Sequence, residues 1–202
     1  MSTTELSEEY RDCFQEITNV AMGQAADKLA RFLDVFIILP VPNVNMLEPS
    51  ELAMALGAVN RSESVSAVCQ GFIGSGIAGE AMLIFNDSTF QEIAQLIKAD
   101  TDDSNKLELE ILMDTANLLI GTFLTGLAEQ LEVRFSLGQP SVLGRHVNIE
   151  DLIKINEHRW KQTLTIEINY KIEGSNISCD LLILFTDDSV NILKQKADYL
   201  LE

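Results

Sequence analysis

Histidine and cysteine are scarce in this chain, with two of the first and three of the second. Cys13, Cys69 and Cys179 are odd in number, far apart and flanked by apolar residues, which predicts buried free thiols rather than a disulfide framework. With only His146 and His158 beside them, spacing assembles neither a zinc constellation nor a Cys/His dyad, and no metal site is expected. Positive charge is short as well: fourteen Lys and Arg stand against thirty-one Asp and Glu, and the net charge of −17 repels phosphate backbones and anionic lipid headgroups. Nucleic acid and membrane surfaces are therefore not expected partners. No uninterrupted apolar run approaches the roughly 20 residues that span a bilayer, and residues 1–9 show neither the basic start nor the apolar stretch of a secretory signal. The expectation is a cytoplasmic chain. Its 202 residues and 47% apolar content suffice for a sizeable core. Trp160, the one tryptophan, is expected in the core or at a sheet edge.

What is present is periodic. Phe14, Ile17, Ala21, Ala25, Leu29 and Phe32 recur at intervals of three and four and predict a helix over residues 8–33, its core face carrying all six. The β-branched and aromatic run Val35-Phe36-Ile37-Ile38-Leu39, stopped by Pro40 and Pro42, predicts a strand. A short helix is expected over residues 49–56, then two strands, 64–72 and 77–85, joined by the hairpin turn Gly74-Ser75-Gly76. Asn86 or Asp87 can cap a helix bearing Phe90, Ile93, Ala94 and Ile97. After the polar residues 100–105 the pattern starts again: a helix over 106–131, a strand at 133–137, Pro140, strands at 163–170 and 177–185, and a closing helix. Met82-Leu83-Ile84-Phe85 matches Leu182-Ile183-Leu184-Phe185 at an offset of 100, and the long helices match at an offset of 98. The expected fold is α+β: one domain, 1–202, made of two pseudo-symmetric helix-strand-strand-strand-helix repeats, about 1–104 and 105–202. Antiparallel sheets would carry the long helices packed against them. No linker rich in Pro, Gly or Ser separates the halves, and the duplication weakens any need for a dimer, so a monomer is expected.

At 100° per residue, Asp12, Glu16, Asn19 and Gly23 fall within roughly 60° of one another, opposite Phe14, Ala21 and Ala25. Packing the apolar face leaves a polar stripe with a glycine beside it turned to water. Glu110, Asp114, Asn117 and Gly121 take the same four positions in the second helix, opposite Leu112, Ala116, Leu119, Phe123 and Leu127. Mid-helix asparagine is a mediocre choice on propensity alone, and here it occurs at equivalent places twice. Each Asn is followed twenty-three positions later by a proline, Pro42 and Pro140, which read as strand stops. Solvated carboxylates near a helix start are commonly no more than that; the duplication singles these out.

These residues resemble the motif of the CheC/CheX/FliY phosphatases of bacterial chemotaxis: Asp or Ser, three residues, Glu, two residues, Asn, twenty-two residues, Pro. Asp12, Glu16, Asn19 and Pro42 match every position. Glu110, Asp114, Asn117 and Pro140 match the spacing, with Glu in the Asp/Ser slot and Asp in place of the catalytic Glu. Two motifs in one chain are similar to CheC, the two-site member. The resemblance implies hydrolysis of the phosphoaspartate on a CheY-like receiver domain, with Glu16, Asn19, Asp114 and Asn117 as the catalytic set. It implies no cofactor of the chain's own, since Mg2+ comes with the receiver. Asn would position water and the carboxylate would anchor a receiver lysine. The alternative is a module that binds phospho-receivers or a CheD-type deamidase without hydrolysis, as the related FliM middle domain works without a complete active site. Cation binding by the acidic stripe ranks last, because side chains along a straight helix cannot wrap an ion.

Overall fold

The computed structural model describes residues 6–48, 51, 64–97, 104–149, 151–152 and 163–201. In chain order the elements are α1 (Glu8–Leu33), β1 (Ile37–Ile38), β2 (Asn43–Leu47), β3 (Ser64–Gly74), β4 (Ile77–Asn86), α2 (Asp87–Leu96), α3 (Ser104–Gln130), β5 (Ser136–Leu137), β6 (Ser141–Asn148), β7 (Thr163–Ile172), β8 (Ser178–Phe185) and α4 (Asp187–Leu201). Among the described residues each half therefore carries four strands where three were expected. The run at 35–39 shrinks to Ile37–Ile38, and Pro40 and Pro42 end it, but pairing resumes at Asn43. The same happens around Pro140, where β6 begins at Ser141. The helix expected at 49–56 lies outside the described residues apart from Glu51, and Trp160 lies outside them as well.

All eight strands join one antiparallel sheet in the order β1-β7-β8-β4-β3-β5, with β2 also on β7 and β6 also on β3. The antiparallel sheets expected of the two repeats are joined in one, because β1 and β2 cross to the hairpin of the second half and β5 and β6 to that of the first. At the centre Met82 pairs with Leu182, its counterpart at the offset of 100, which places an internal two-fold between β4 and β8. The helix ends obey the same relation. Asp34 (φ 54°) and Glu132 (φ 53°) are left-handed residues 98 positions apart, and each is followed by an amide bonded back into its helix, Val35 N to Ala30 O and Val133 N to Ala128 O.

Alternation sorts the sheet into two faces. Val68, Phe72, Ala81, Leu83, Phe85, Leu181, Ile183 and Phe185 enter the main core with the buried residues of all four helices. Met82, Ile84, Leu182 and Leu184 face a smaller cluster closed by Ile149 and Leu152. Burial on both faces explains why these strands read as nearly continuous apolar runs. Cys13, Cys69 and Cys179 are buried free thiols, as their surroundings predict. Among the described residues α3 is the one helix long and apolar enough, by length and composition, to cross a membrane, and most of its apolar stretch is buried inside the fold.

The long helices bury residues in pairs every four positions: 13–14, 17–18, 21–22 and 25–26 in α1, then 111–112, 115–116, 119–120, 123–124 and 127–128 in α3. Because four exceeds 3.6, the buried direction turns by about 40° at each step. Ridges spaced by four pack in the class that crosses at roughly 50°. This rotation corrects one assignment. Phe32 shares the angular position of buried Phe14, yet eighteen residues later that direction faces outward, and Phe32 is 45% exposed while Leu33 is buried. The helices run antiparallel, because Ala21 and Gln24 of α1 meet Gly126 while Lys28 and Phe32 lie beside Asp114 and Asn117.

The start of α3 is tethered by a charged cluster. His146 of β6 places Nδ1 2.9 Å from Asp87 Oδ2 at the start of α2 and Nε2 3.2 Å from Glu108 Oε1 in α3. Arg145 holds the other Glu108 oxygen at 3.1 Å, and Ser66 Oγ donates to Asp87. Asp87, Glu108 and His146 are residue types that ligate metals, with their candidate ligand atoms within 4.8 Å of one another, and each ring nitrogen of His146 faces a carboxylate. When protonated, His146 stands as a cation between two carboxylates, hydrogen-bonded to Asp87 and in ion-pair range of Glu108. The hydrogen bond to Asp87 is the main cause holding the His146 pKa above its ordinary value, with burial opposing it. The stabilisation is therefore complete below about pH 6.5 and fades as pH rises through the elevated pKa. The melting temperature of the native chain, minus that of His146→Gln, is expected to shrink on going from about pH 5.5 to about pH 9. A difference that stays constant over that range contradicts the bridge.

Candidate functional site

Ser7 caps α1, its hydroxyl accepting from Tyr10 N at 3.4 Å, and Glu8 and Glu9 occupy the first turn where the helix dipole favours them. The helix so begun carries Asp12, Glu16 and Asn19 on its outer side, all three exposed. Gln15, one row inward, donates to the Pro42 carbonyl at 3.0 Å and ties α1 to the start of β2. In the second half Glu110, Asp114 and Asn117 are likewise exposed on α3. Lys106 approaches Glu110 at 3.8 Å, a solvated contact worth little. Glu16, Asn19, Asp114 and Asn117 form no hydrogen bond or ion pair with any described residue. Their polar atoms are left for water or for another molecule.

Gly23 and Gly121 close the two stripes. A β-carbon at either position would meet nothing within 4 Å, so internal packing gives no reason for glycine there. In mid-helix each costs about 0.5–1 kcal/mol relative to alanine. Gly23→Ala and Gly121→Ala are therefore expected each to raise the melting temperature, by about 1–4 °C, as read by calorimetry. Gly126 contrasts with both: its added β-carbon would lie 3.0 Å from the Ala21 Cα, and this glycine serves the helix crossing.

The two stripes lie at opposite ends of the crossing on the outer side of the helix pair, away from the sheet. The second opens into a groove of about 570 Å3 lined by Lys28, Phe32, Asp114, Asn117, Gly121 and Thr122, among others. Sequence reading missed Lys28 and Phe32 there. A signal was present: Asp12, Glu16, Val20, Gln24, Lys28 and Phe32 form one exposed row at four-residue spacing. For the His146 bridge no local spacing could have served, since its three members come from separate elements.

A single antiparallel sheet with an internal two-fold and two crossed helices on one face is the fold of the CheC/CheX/FliY chemotaxis proteins. FliY of Thermotoga maritima superposes with a TM-score of 0.68 at 20% identity, covering 96% of this chain and 98% of that one. CheX of Borrelia burgdorferi, solved in complex with CheY, BeF3 and Mg2+, superposes at 0.56 with 17% identity over 85% of this chain and 97% of its own. The FliM middle domain from H. pylori gives 0.59 at 14% identity, covering 95% and 99%. No protein-family profile matches the sequence. At these identities the likeness is one of fold, and function has to be argued from the site.

Proposed function

We propose that this chain hydrolyses the phosphoaspartate of a CheY-like receiver domain, with Asn19 and Asn117 positioning water and Glu16 and Asp114 anchoring the receiver. The observation that carries this reading is the duplicated, exposed and internally unbonded carboxylate–carboxamide pair on a chemotaxis fold. Water attacks phosphorus in line, the bond from phosphorus to the acyl oxygen breaks, and the products are the receiver's carboxylate and inorganic phosphate. The substrate brings its own Mg2+, so this chain need only place the nucleophile and fix the docking angle. A carboxamide can accept from and donate to that water without acquiring charge. The carboxylate one turn earlier can grip a receiver lysine as a charge-assisted pair. Gly23 and Gly121 leave room for a receiver loop against the helix. Because the two-fold lies within the chain, a monomer holds both sites.

The test is phosphate release from phosphorylated receivers with and without the protein, expected to shorten the phosphoryl lifetime of at least one. A second reading is favoured by the likeness to the FliM middle domain: capture of phospho-receivers, or of a CheD-type deamidase, without turnover. Saturable binding at an unchanged phosphoryl lifetime would select it.

A further inference from the structure

On the phosphatase reading, we infer that the two sites are unequal by construction: α1 lends Lys28 and Phe32 to the second site as receiver-docking residues, and α3 lends no such pair to the first. In an antiparallel crossing the C-terminal half of each helix borders the stripe of the other. Lys28 and Phe32 accordingly line the groove that holds Asp114 and Asn117. Their counterparts at the offset of 98 are Gly126 and Gln130. Gly126 is spent on the close approach to Ala21 and offers no side chain. The duplication is thus broken where the two helices share their outer surface.

The chemistry of the pair suits the proposed substrate. A phosphoaspartate and the carboxylates that hold its metal form an anionic target, which a chain of net charge −17 repels at long range. Lys28 is exposed and has no ion-pair partner among the described residues, its acidic neighbour Asp27 being paired with Arg31 at 2.9 Å. It supplies local attraction, and Phe32, one turn on, supplies an aromatic surface that a docked domain can desolvate. Asp114 reaches about 1.3–1.5 Å less far than a glutamate, and Lys28 and Phe32 add binding beside that shorter anchor without restoring its reach.

Steady-state kinetics in two backgrounds separate the sites: Asn19→Ala leaves the second to report, and Asn117→Ala leaves the first. Adding Lys28→Ala and Phe32→Ala is expected to raise KM about tenfold in the Asn19→Ala chain with little change in kcat, and not in the Asn117→Ala chain. Lys28→Arg should keep the native KM and Lys28→Glu should raise it further, the rise shrinking with added salt. An equal change in both backgrounds, or none in either, overturns the inference. Should the Asn19→Ala chain show no turnover, hydrolysis at the second site is refuted, and docking is then decided by affinity. In a Glu16→Arg/Asn19→Ala chain, binding of a beryllofluoride-activated receiver must weaken when Lys28 and Phe32 are removed; unchanged affinity overturns the docking role on its own.

Discussion

Asn19→Ala combined with Asn117→Ala is expected to reduce receiver dephosphorylation to the receiver's own rate while the chain stays folded. Each carboxamide is exposed and without a bonded neighbour among the described residues, so alanine breaks no internal contact. Alanine is also the better helix former, and the melting temperature should hold or rise slightly. The chemical cost is larger. Holding water in line converts an encounter into a positioned reaction, and losing one preorganised group typically costs about a hundredfold to a thousandfold. Phosphate release by the two single variants assigns the activity site by site. If the double variant still hydrolyses at the native rate, neither asparagine positions the nucleophile.

The second large effect concerns reach. Asp114 stands where the first stripe has Glu16, one methylene shorter, and a displacement of about 1 Å in a positioning group can cost on the order of a hundredfold in rate. In an Asn19→Ala chain, Asp114→Glu is expected to raise the remaining turnover toward that of the first site, by up to about a hundredfold. In an Asn117→Ala chain, Glu16→Asp should lower it comparably. Both positions are exposed on regular helix, so folding should not intervene. If Glu16→Asp leaves kcat/KM untouched, the carboxylate does not anchor the receiver.

Gly23→Ala and Gly121→Ala complement these tests. A receiver loop resting on the helix predicts weaker binding together with higher thermal stability. Greater stability with unaltered binding places the docked domain elsewhere.

The two long helices, the hairpin of β3 and β4, the offsets between the halves and both stripes were legible in the sequence, because each depends on a local pattern over a few residues or turns. An exposed face of a single helix follows from which side is apolar, and Glu16, Asn19, Asp114 and Asn117 could be grouped without any distant contact. β2 and β6 were not legible. In Asn43–Leu47 the one buried side chain is Val44, and its strand partners, Thr163 to Glu167, lie about 120 residues away. The exchange of strands between the halves likewise depends on pairing that no local pattern encodes. The tertiary structure also decided that Phe32 faces water, through the slow rotation of a four-residue packing ridge, and that α1 borders the second stripe with Lys28. It alone brought Asp87, Glu108 and His146 together from three elements. Local periodicity fixes which way a side chain points from its own helix, whereas its neighbours are set by how elements far apart in the chain cross.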